Sequence, residues 1–145
     1  EPAGLGCRDT LRMEMKLALY GNDIDDTTNP IEAGLGWITR LGKTDFMGKK
    51  ALLEAKPNVT RRLVCSEMTE RAIPRQGCPI LMNDESVGII TSGTMSPSLE
   101  TGIGIGYVNR PFDKSGTELL VDIRGRMKSA VVVKPPFYKN GSLMD

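Results

Sequence analysis

The feature that most constrains the fold is a series of six short apolar segments that begins near Thr60 and runs to about residue 135. In order, the segments read RRLVCSEM, CPILM, VGIITSG, IGIGYV, TELLVDIR and KSAVVVK, and residues that favour turns separate them. Strand-like segments at intervals of roughly 8 to 14 residues are typical of a small antiparallel barrel or sandwich. The glycines among them would allow the bends and close backbone contacts of a small closed barrel; they are Gly88, Gly93, Gly102, Gly104 and Gly106. This part of the chain can therefore close on itself as a domain.

Residues 1–57 have a different character, and we expect an α+β fragment that cannot close alone. The segment from Arg8 to about Leu19 alternates apolar and polar residues with a period of two, which is typical of a strand. Most of its residues are instead good helix formers, and it contains neither Val nor Ile. We predict a largely buried helix that stops at Gly21-Asn22, followed by an irregular loop to Pro30.

A second, shorter helix is predicted in the segment KTDFMGKKALLEAKP. Thr44 or Asp45 would cap it, and Pro57 would prevent its continuation. Its inner stripe would consist of Phe46, Ala51, Leu52 and Ala55. The boundary between the two units is predicted at Lys56-Pro57-Asn58. Trp37, the only tryptophan, is predicted to lie in the core or at a domain junction, and the wall of a ligand site is the alternative.

Composition excludes several classes of function. Charged residues make up 26% and apolar residues 39% of the chain, which is a globular composition. The net charge of +1 favours neither nucleic acid nor an anionic membrane as a partner. The three cysteines show no CxxC spacing, which argues for a reducing compartment. Because the chain contains no histidine, Ser-His and Cys-His nucleophilic machinery is excluded.

Three motifs suggest chemistry at first sight, and we interpret all three as structural. The acidic run Asp23-Ile24-Asp25-Asp26 lacks the Gly and Glu that an EF-hand loop requires at its sixth and twelfth positions, so it is interpreted as a turn-forming loop. The segment GIGIG, residues 102–106, lies inside a predicted strand and does not open a helix, as a dinucleotide fingerprint would. Cys7 precedes Arg8 near a helix start but is predicted to be a small buried residue.

Two arginines remain as candidates for binding an anion. Arg8 and Arg12 lie four residues apart, so in a helix both guanidiniums would lie on one face. An arginine fork binds carboxylates and stays charged at any working pH. The alternative, which the residues alone favour, is a buried arginine that pairs with Glu14, Asp9 or Asp25.

Motifs along the whole chain resemble those of the glycine cleavage T-protein (aminomethyltransferase) family. The resemblance is carried by GLGCRDTLRMEMKLALYGNDID, TTNPIEAGLGW, DFMGKKAL, VGIITSGTMSPSL, IGIGYV, GTELLVDIRG and VVVKPPFYK. Two related groups are less similar, namely folate-binding iron–sulfur-assembly proteins and the folate regions of dimethylglycine and sarcosine dehydrogenases. Cys7 and the pair Met15-Lys16 depart from the family pattern, in which Ala and Ala-Gly are usual.

This resemblance implies a fold, an activity and a set of binding residues. It implies that residues 1–57 are the end of the second, folate-binding domain and that residues 60–145 form the C-terminal β-barrel. It further implies an enzyme that transfers a methylene group from a lipoylated H-protein to tetrahydrofolate with release of ammonia, without a metal. Arg8 matches the family's folate-contacting arginine, Arg12 is a further candidate one helical turn on, and Tyr138 falls near a C-terminal ligand-contacting residue. The catalytic carboxylate would lie outside this chain.

The resemblance also implies a location and leaves a second type of function open. The location would be the cytoplasm of a bacterium, or the mitochondrial matrix in a eukaryote, with neither nucleic acid nor membrane as a partner. The chain by itself is expected to be inactive. The alternative function is a non-catalytic barrel module that binds folate or docks a partner protein.

Overall fold

The computed structural model describes residues 2–140 and consists of a helical N-terminal segment followed by a closed β-barrel. The helices are α1 (Leu5–Glu14), α2 (Gly36–Thr39) and α3 (Lys49–Ala55), and a 3-10 turn, Lys56–Asn58, follows α3 directly. The strands are β1 (Arg61–Met68), β2 (Pro79–Met82), β3 (Glu85–Ser96), β4 (Thr101–Asn109), β5 (Glu118–Ile123) and β6 (Arg126–Val133). None of the helices between residues 2 and 140 is long and apolar enough to cross a membrane.

The six strands form a single antiparallel barrel, which confirms the predicted fold class. Around the barrel the order is β1-β4-β3-β2-β5-β6, and β6 pairs with β1 to close it. The first two neighbours in sequence, β1 and β2, do not pair, because β4 and β6 lie on either side of β1. The interior is filled by apolar side chains, of which Ile80, Ile90, Val108 and Val121 are almost completely buried.

The N-terminal segment covers the outer face of β1 and β4. Side chains on these two strands alternate between the barrel interior and this outer face, because successive residues of a strand point to opposite sides. The outer-face residues form a second apolar cluster with the N-terminal segment; its members are Met13, Ala33, Leu63, Cys65, Ile103, Ile105, Tyr107 and Phe137. This double coverage explains why β4 is buried at seven consecutive positions.

Helix α1 is shorter than predicted, and its end has a clear physical cause. We expected the helix to continue to about Leu19, but it ends at Glu14. Lys16 adopts a left-handed conformation with φ of 56°, and the backbone N–H of Leu17 then donates to the carbonyl oxygen of Arg12 over 2.8 Å. The chain from residue 17 to residue 19 is neither helix nor strand, so neither pattern describes these residues.

Three further predictions in the N-terminal segment are wrong, namely the cap of α3, the inner stripe of α3 and the burial of Cys7. Helix α3 begins after Gly48 and is capped by neither Thr44 nor Asp45. None of its residues is buried, so the predicted inner stripe does not form a core. Trp37 is 76% exposed and does not belong to the core of residues 2–140, while its predicted place at a domain junction stays a prediction. Cys7 is also exposed, whereas we predicted a small buried residue.

Candidate functional site

A surface cavity of about 720 Å³ lies where α1, the segment after it and the C-terminal segment meet. The predicted site residues Arg8, Arg12 and Tyr138 all line it. Most of the remaining wall is apolar and comes from the end of α1 and the residues that follow, including Leu11 and Leu17. The cavity therefore combines an apolar wall with cationic and hydroxyl groups, which suits a partly aromatic ligand that carries a negative charge.

Arg8 lies in the first half of α1 and is exposed to solvent. Within residues 2–140 its guanidinium forms no hydrogen bond and no ion pair. A guanidinium without a protein partner keeps its forked set of donors available for an external carboxylate.

Arg12 differs from Arg8 because its guanidinium is buried and fully engaged. Its Nε donates to Asp9 Oδ1 over 2.8 Å, and one Nη donates to Asp23 Oδ2 over 2.6 Å. The other Nη donates to the hydroxyl oxygen of Ser92 over 2.9 Å and lies 2.7 Å from Asp9 Oδ1. This is the internal pairing that the sequence favoured, although its second carboxylate is Asp23, and neither Glu14 nor Asp25 takes part.

Asp23 is the residue of this region that the sequence analysis did not identify. Its side chain is completely buried; Oδ1 accepts a hydrogen bond from Thr91 over 2.5 Å, and Oδ2 accepts one from the backbone N–H of Leu19 over 2.9 Å. Its backbone carbonyl accepts a hydrogen bond from the hydroxyl of Tyr107 over 3.0 Å. The predicted turn-forming role belongs instead to Asp25, whose carboxylate accepts hydrogen bonds from the backbone and the hydroxyl of Thr27.

Glu14 forms a second buried anchor in the wall of the cavity. Oε1 accepts hydrogen bonds from the hydroxyl of Ser96 over 2.5 Å and from the backbone N–H of Ser98 over 3.0 Å, while Oε2 accepts one from the Ser98 hydroxyl over 2.9 Å. Burial of the carboxylate raises its pKa, but the hydrogen bonds from Ser96 and Ser98 outweigh burial and leave the pKa below its ordinary value of 4.5. Glu14 is therefore ionised at neutral pH.

Tyr138 reaches the cavity because the residues around it are fixed. Phe137 is buried in the cluster on the outer face of β1 and β4. The backbone N–H of Tyr138 donates to the carbonyl oxygen of Glu14 over 3.1 Å. The C-terminal segment is thus tied to the last turn of α1, and Arg8 and Tyr138 line the same cavity despite their separation in sequence.

The described residues do not offer an activated thiol at this cavity. Burial raises the pKa of Cys65 to about 12, so its thiol stays protonated at neutral pH. Cys7 is exposed, but it is not among the residues that line the cavity. Between residues 2 and 140, no group of three or more acidic or cysteine side chains converges as a metal site. The arrangement can bind and orient a ligand, and its buried carboxylates are engaged in internal hydrogen bonds.

Comparisons with known proteins identify the class to which this barrel belongs. Residues 61–139 match the family described as "Glycine cleavage T-protein C-terminal barrel domain", and residues 1–43 match "GCVT N-terminal domain". A solved structure, that of glycine cleavage system aminomethyltransferase T from Bartonella henselae, superposes with a TM-score of 0.89 at 35% identity. The superposition covers 95% of this chain and 40% of that one.

Curated relatives give the same result at higher identity. The chain is 53% identical to an aminomethyltransferase of Bacteroides thetaiotaomicron and 54% identical to one of Bacteroides fragilis, each over 143 residues. These matches cover 96% of this chain and 39% of each relative, so the chain spans about two fifths of the relatives' length. The chain belongs to the glycine cleavage T-protein family, and it corresponds to the C-terminal portion of such a protein.

Proposed function

We propose that this chain is part of a folate-dependent aminomethyltransferase of the glycine cleavage system. The complete protein would take the aminomethyl group from the lipoyl arm of an H-protein, transfer its methylene group to tetrahydrofolate and release ammonia. Support comes from the family matches and from relatives named as aminomethyltransferases. Among residues 2–140, the carboxylate that lines the cavity is that of Glu14, which is engaged by Ser96 and Ser98, and we assign the catalytic carboxylate to a part of the protein outside this chain.

We propose that the cavity beside α1 contributes to folate binding. The observation that carries this proposal is the exposed Arg8 guanidinium, which has no partner within residues 2–140 and lines an apolar cavity together with Tyr138. Tetrahydrofolate combines an aromatic body with a glutamate tail, which would match the apolar wall and the arginine respectively. Arg12 would contribute through its position in the wall, because its guanidinium is already engaged.

The division into two units is also a proposal. Residues 1–57 would be the end of the folate-binding domain, and residues 60–145 would be the C-terminal barrel domain. The separate family matches to residues 1–43 and 61–139 support this division.

Three further proposals rest on the family alone. They are a lipoylated H-protein as the partner, a location in the cytoplasm and a reaction without a metal.

The decisive experiment uses the complete gene product that contains this sequence. We expect it to form 5,10-methylenetetrahydrofolate from tetrahydrofolate and aminomethylated H-protein, measured by absorbance or mass spectrometry. The 145-residue chain alone should show no transfer, because it spans only 39% of the length of its relatives. Tetrahydrofolate binding without transfer by the complete protein would contradict the enzyme proposal and would favour a non-catalytic folate-binding module.

A further inference from the structure

We propose that Asp9 and Arg12 act as a positioning pair that fixes the backbone of α1 directly after Arg8, and with it the guanidinium of Arg8 at the cavity. This inference rests on the proposed folate contact of Arg8. It gives Asp9 a role in the site. It also gives Arg12 a positioning role, although the sequence suggested that Arg12 binds the ligand directly.

Helix α1 is anchored to the protein at its C-terminal end. The three buried residues of the helix, Arg12, Met13 and Glu14, all belong to its last turn. By contrast, Leu5 at the start of the helix is 83% exposed, and no side chain caps the helix at Gly4. A helix end without a side-chain cap and without burial frays readily, because its first backbone N–H groups lack internal partners.

The guanidinium of Arg12 connects the anchored end of α1 to the middle of the helix, directly after Arg8. Two of its nitrogens lie 2.8 Å and 2.7 Å from Asp9 Oδ1, so the contact is bidentate on the arginine side. Asp9 is adjacent to Arg8 in sequence, and it precedes Arg12 by three residues on the same helix face. Fraying of α1 that passes Arg8 and reaches Asp9 must therefore also break the Asp9–Arg12 contact, so this contact holds the backbone directly after Arg8 in place.

The other end of this connection is rigid. Arg12 donates to Asp23 over 2.6 Å, and Asp23 in turn accepts a hydrogen bond from Thr91 of β3. Arg12 also donates directly to Ser92 of the same strand. A guanidinium held by a barrel strand cannot follow a ligand, so it serves as a fixed point for Asp9.

Saturation of the donors distinguishes this positioning role from direct ligand contact by Arg12. A guanidinium has five N–H donors. Besides the contacts to Asp9, Asp23 and Ser92, one Nη of Arg12 lies 3.4 Å from the carbonyl oxygen of Leu17. Each of the three nitrogens has a protein acceptor, and the residue is 9% exposed. A ligand carboxylate would have to displace one of these internal partners.

The first test measures the anchor itself in the complete protein without ligand. Asp9→Asn removes a charge from a side chain that is 45% exposed, so it should leave the fold intact. We expect hydrogen–deuterium exchange of the backbone N–H groups of residues 9–12, which bond the carbonyl oxygens of the first helical turn, to become at least about threefold faster, because local opening no longer breaks an ion pair. Asp26→Asn makes the same substitution at an exposed aspartate of the following loop and should change nothing.

The second test is a double-mutant cycle between Asp9 and Arg8, with tetrahydrofolate binding as the readout. We expect Asp9→Asn to raise the dissociation constant by about threefold to tenfold in the wild-type background. The same substitution should have no effect when Arg8→Ala is already present. Asp9→Glu keeps the carboxylate and should restore part of the affinity.

The sign of the effect separates positioning from simple electrostatics. Removal of a negative charge beside an anionic ligand would by itself strengthen binding, whereas loss of positioning weakens it. Unchanged or stronger binding in Asp9→Asn, or equal losses in both Arg8 backgrounds, would overturn the inference while the folate proposal stands. Failure of the wild-type protein to bind tetrahydrofolate would overturn both.

Discussion

At the scale of single residues, two arginines on one helix face have different environments. Arg12 is buried between Asp9 and Asp23, and Arg8 faces a cavity without a partner in residues 2–140. A buried charge must be paired because desolvation of an isolated ion is very unfavourable, whereas an exposed guanidinium costs little to leave free. The structure therefore separates an internal arginine from an arginine that is available to a ligand.

The availability of Arg8 leads to a prediction about affinity. In the complete protein, Arg8→Ala should raise the dissociation constant for tetrahydrofolate by about tenfold or more, because a hydrogen bond to a charged group contributes roughly 1.5–3 kcal/mol. Titration calorimetry measures this constant. Arg71→Ala, at an exposed arginine that does not line the cavity, is the matched control. An unchanged constant in Arg8→Ala would contradict the proposed contact.

Glu14 leads to a prediction about pH dependence. Its folded-state pKa is below the ordinary value of 4.5, so the ionised form binds Ser96 and Ser98 more strongly than the protonated form does. The resulting stabilisation is complete above about pH 4.5 and is lost as the pH falls through the folded-state pKa. At pH 7, Glu14→Gln should lower the free energy of unfolding by about 1.5–3 kcal/mol, measured by urea denaturation.

The comparison at low pH supplies the control for this prediction. The difference in stability between wild type and Glu14→Gln should shrink as the pH falls below about 4.5. Glu85→Gln, at an exposed position of β3, should change stability by no more than about 0.5 kcal/mol at either pH. A constant difference between wild type and Glu14→Gln at all pH values would show that the charge of Glu14 is not the cause.

At the scale of elements, β4 shows why its glycines are needed. A Cβ atom on Gly102 would overlap the carbonyl oxygen of Ala72, and one on Gly106 would lie 2.5 Å from the carbonyl oxygen of Ile89. Both obstacles are backbone atoms, which cannot move without distortion of the neighbouring chain. The expectation that these glycines permit close backbone contacts is therefore confirmed at these positions.

The close approach at Gly102 gives a prediction for a conservative substitution. Gly102→Ala should destabilise the protein by about 1–3 kcal/mol, because the added methyl group forces the backbone of β4 away from Ala72. Urea or thermal denaturation measures the change. Gly42→Ala is the matched control, since nothing lies within 4 Å of its added Cβ, and it should be neutral or slightly stabilising. Equal effects of the two substitutions would refute the steric explanation.

At the scale of the whole molecule, the barrel and the N-terminal segment share a core. The barrel interior is complete without residues 1–57, but the outer face of β1 and β4 is covered by Met13 and Ala33. Further polar links cross the same junction, including the ion pair of Arg61 with Glu32 at 3.0 Å. The barrel can therefore close without the N-terminal segment, but its stability in water depends on that segment, which covers an apolar outer face.

Removal of the N-terminal segment tests this distinction. A protein that begins at residue 60 should lose several kcal/mol of unfolding free energy and should self-associate, because each large apolar side chain that is uncovered forfeits about 1.5–3 kcal/mol. Denaturation and light scattering measure the two effects. Ile103→Thr with Ile105→Thr should reduce the association of the truncated protein. A monomeric truncated barrel as stable as its parent would contradict the shared core.

The sequence by itself determined the strands and the family. Alternating apolar residues and turn residues are local signals, so all six strands were predicted close to their observed positions. Local patterns also revealed helices α1 and α3, but not their bounds. Helix α1 stops before the left-handed Lys16, and the buried carboxylate of Asp23 holds the following chain by accepting a hydrogen bond from the backbone N–H of Leu19. No local pattern distinguishes Asp23 from its acidic neighbours.

Only the tertiary structure decided which polar groups meet at the cavity. Glu14 and Ser96 are 82 residues apart in sequence, and Arg12 and Ser92 are 80 residues apart. Such pairs form because closure of the barrel brings the end of β3 and the C-terminal segment against α1. This arrangement depends on the order of the strands in the barrel, and no short segment of the sequence encodes it. The sequence supplied the charges, but burial decided which of them stabilise the fold and which remain available to a ligand.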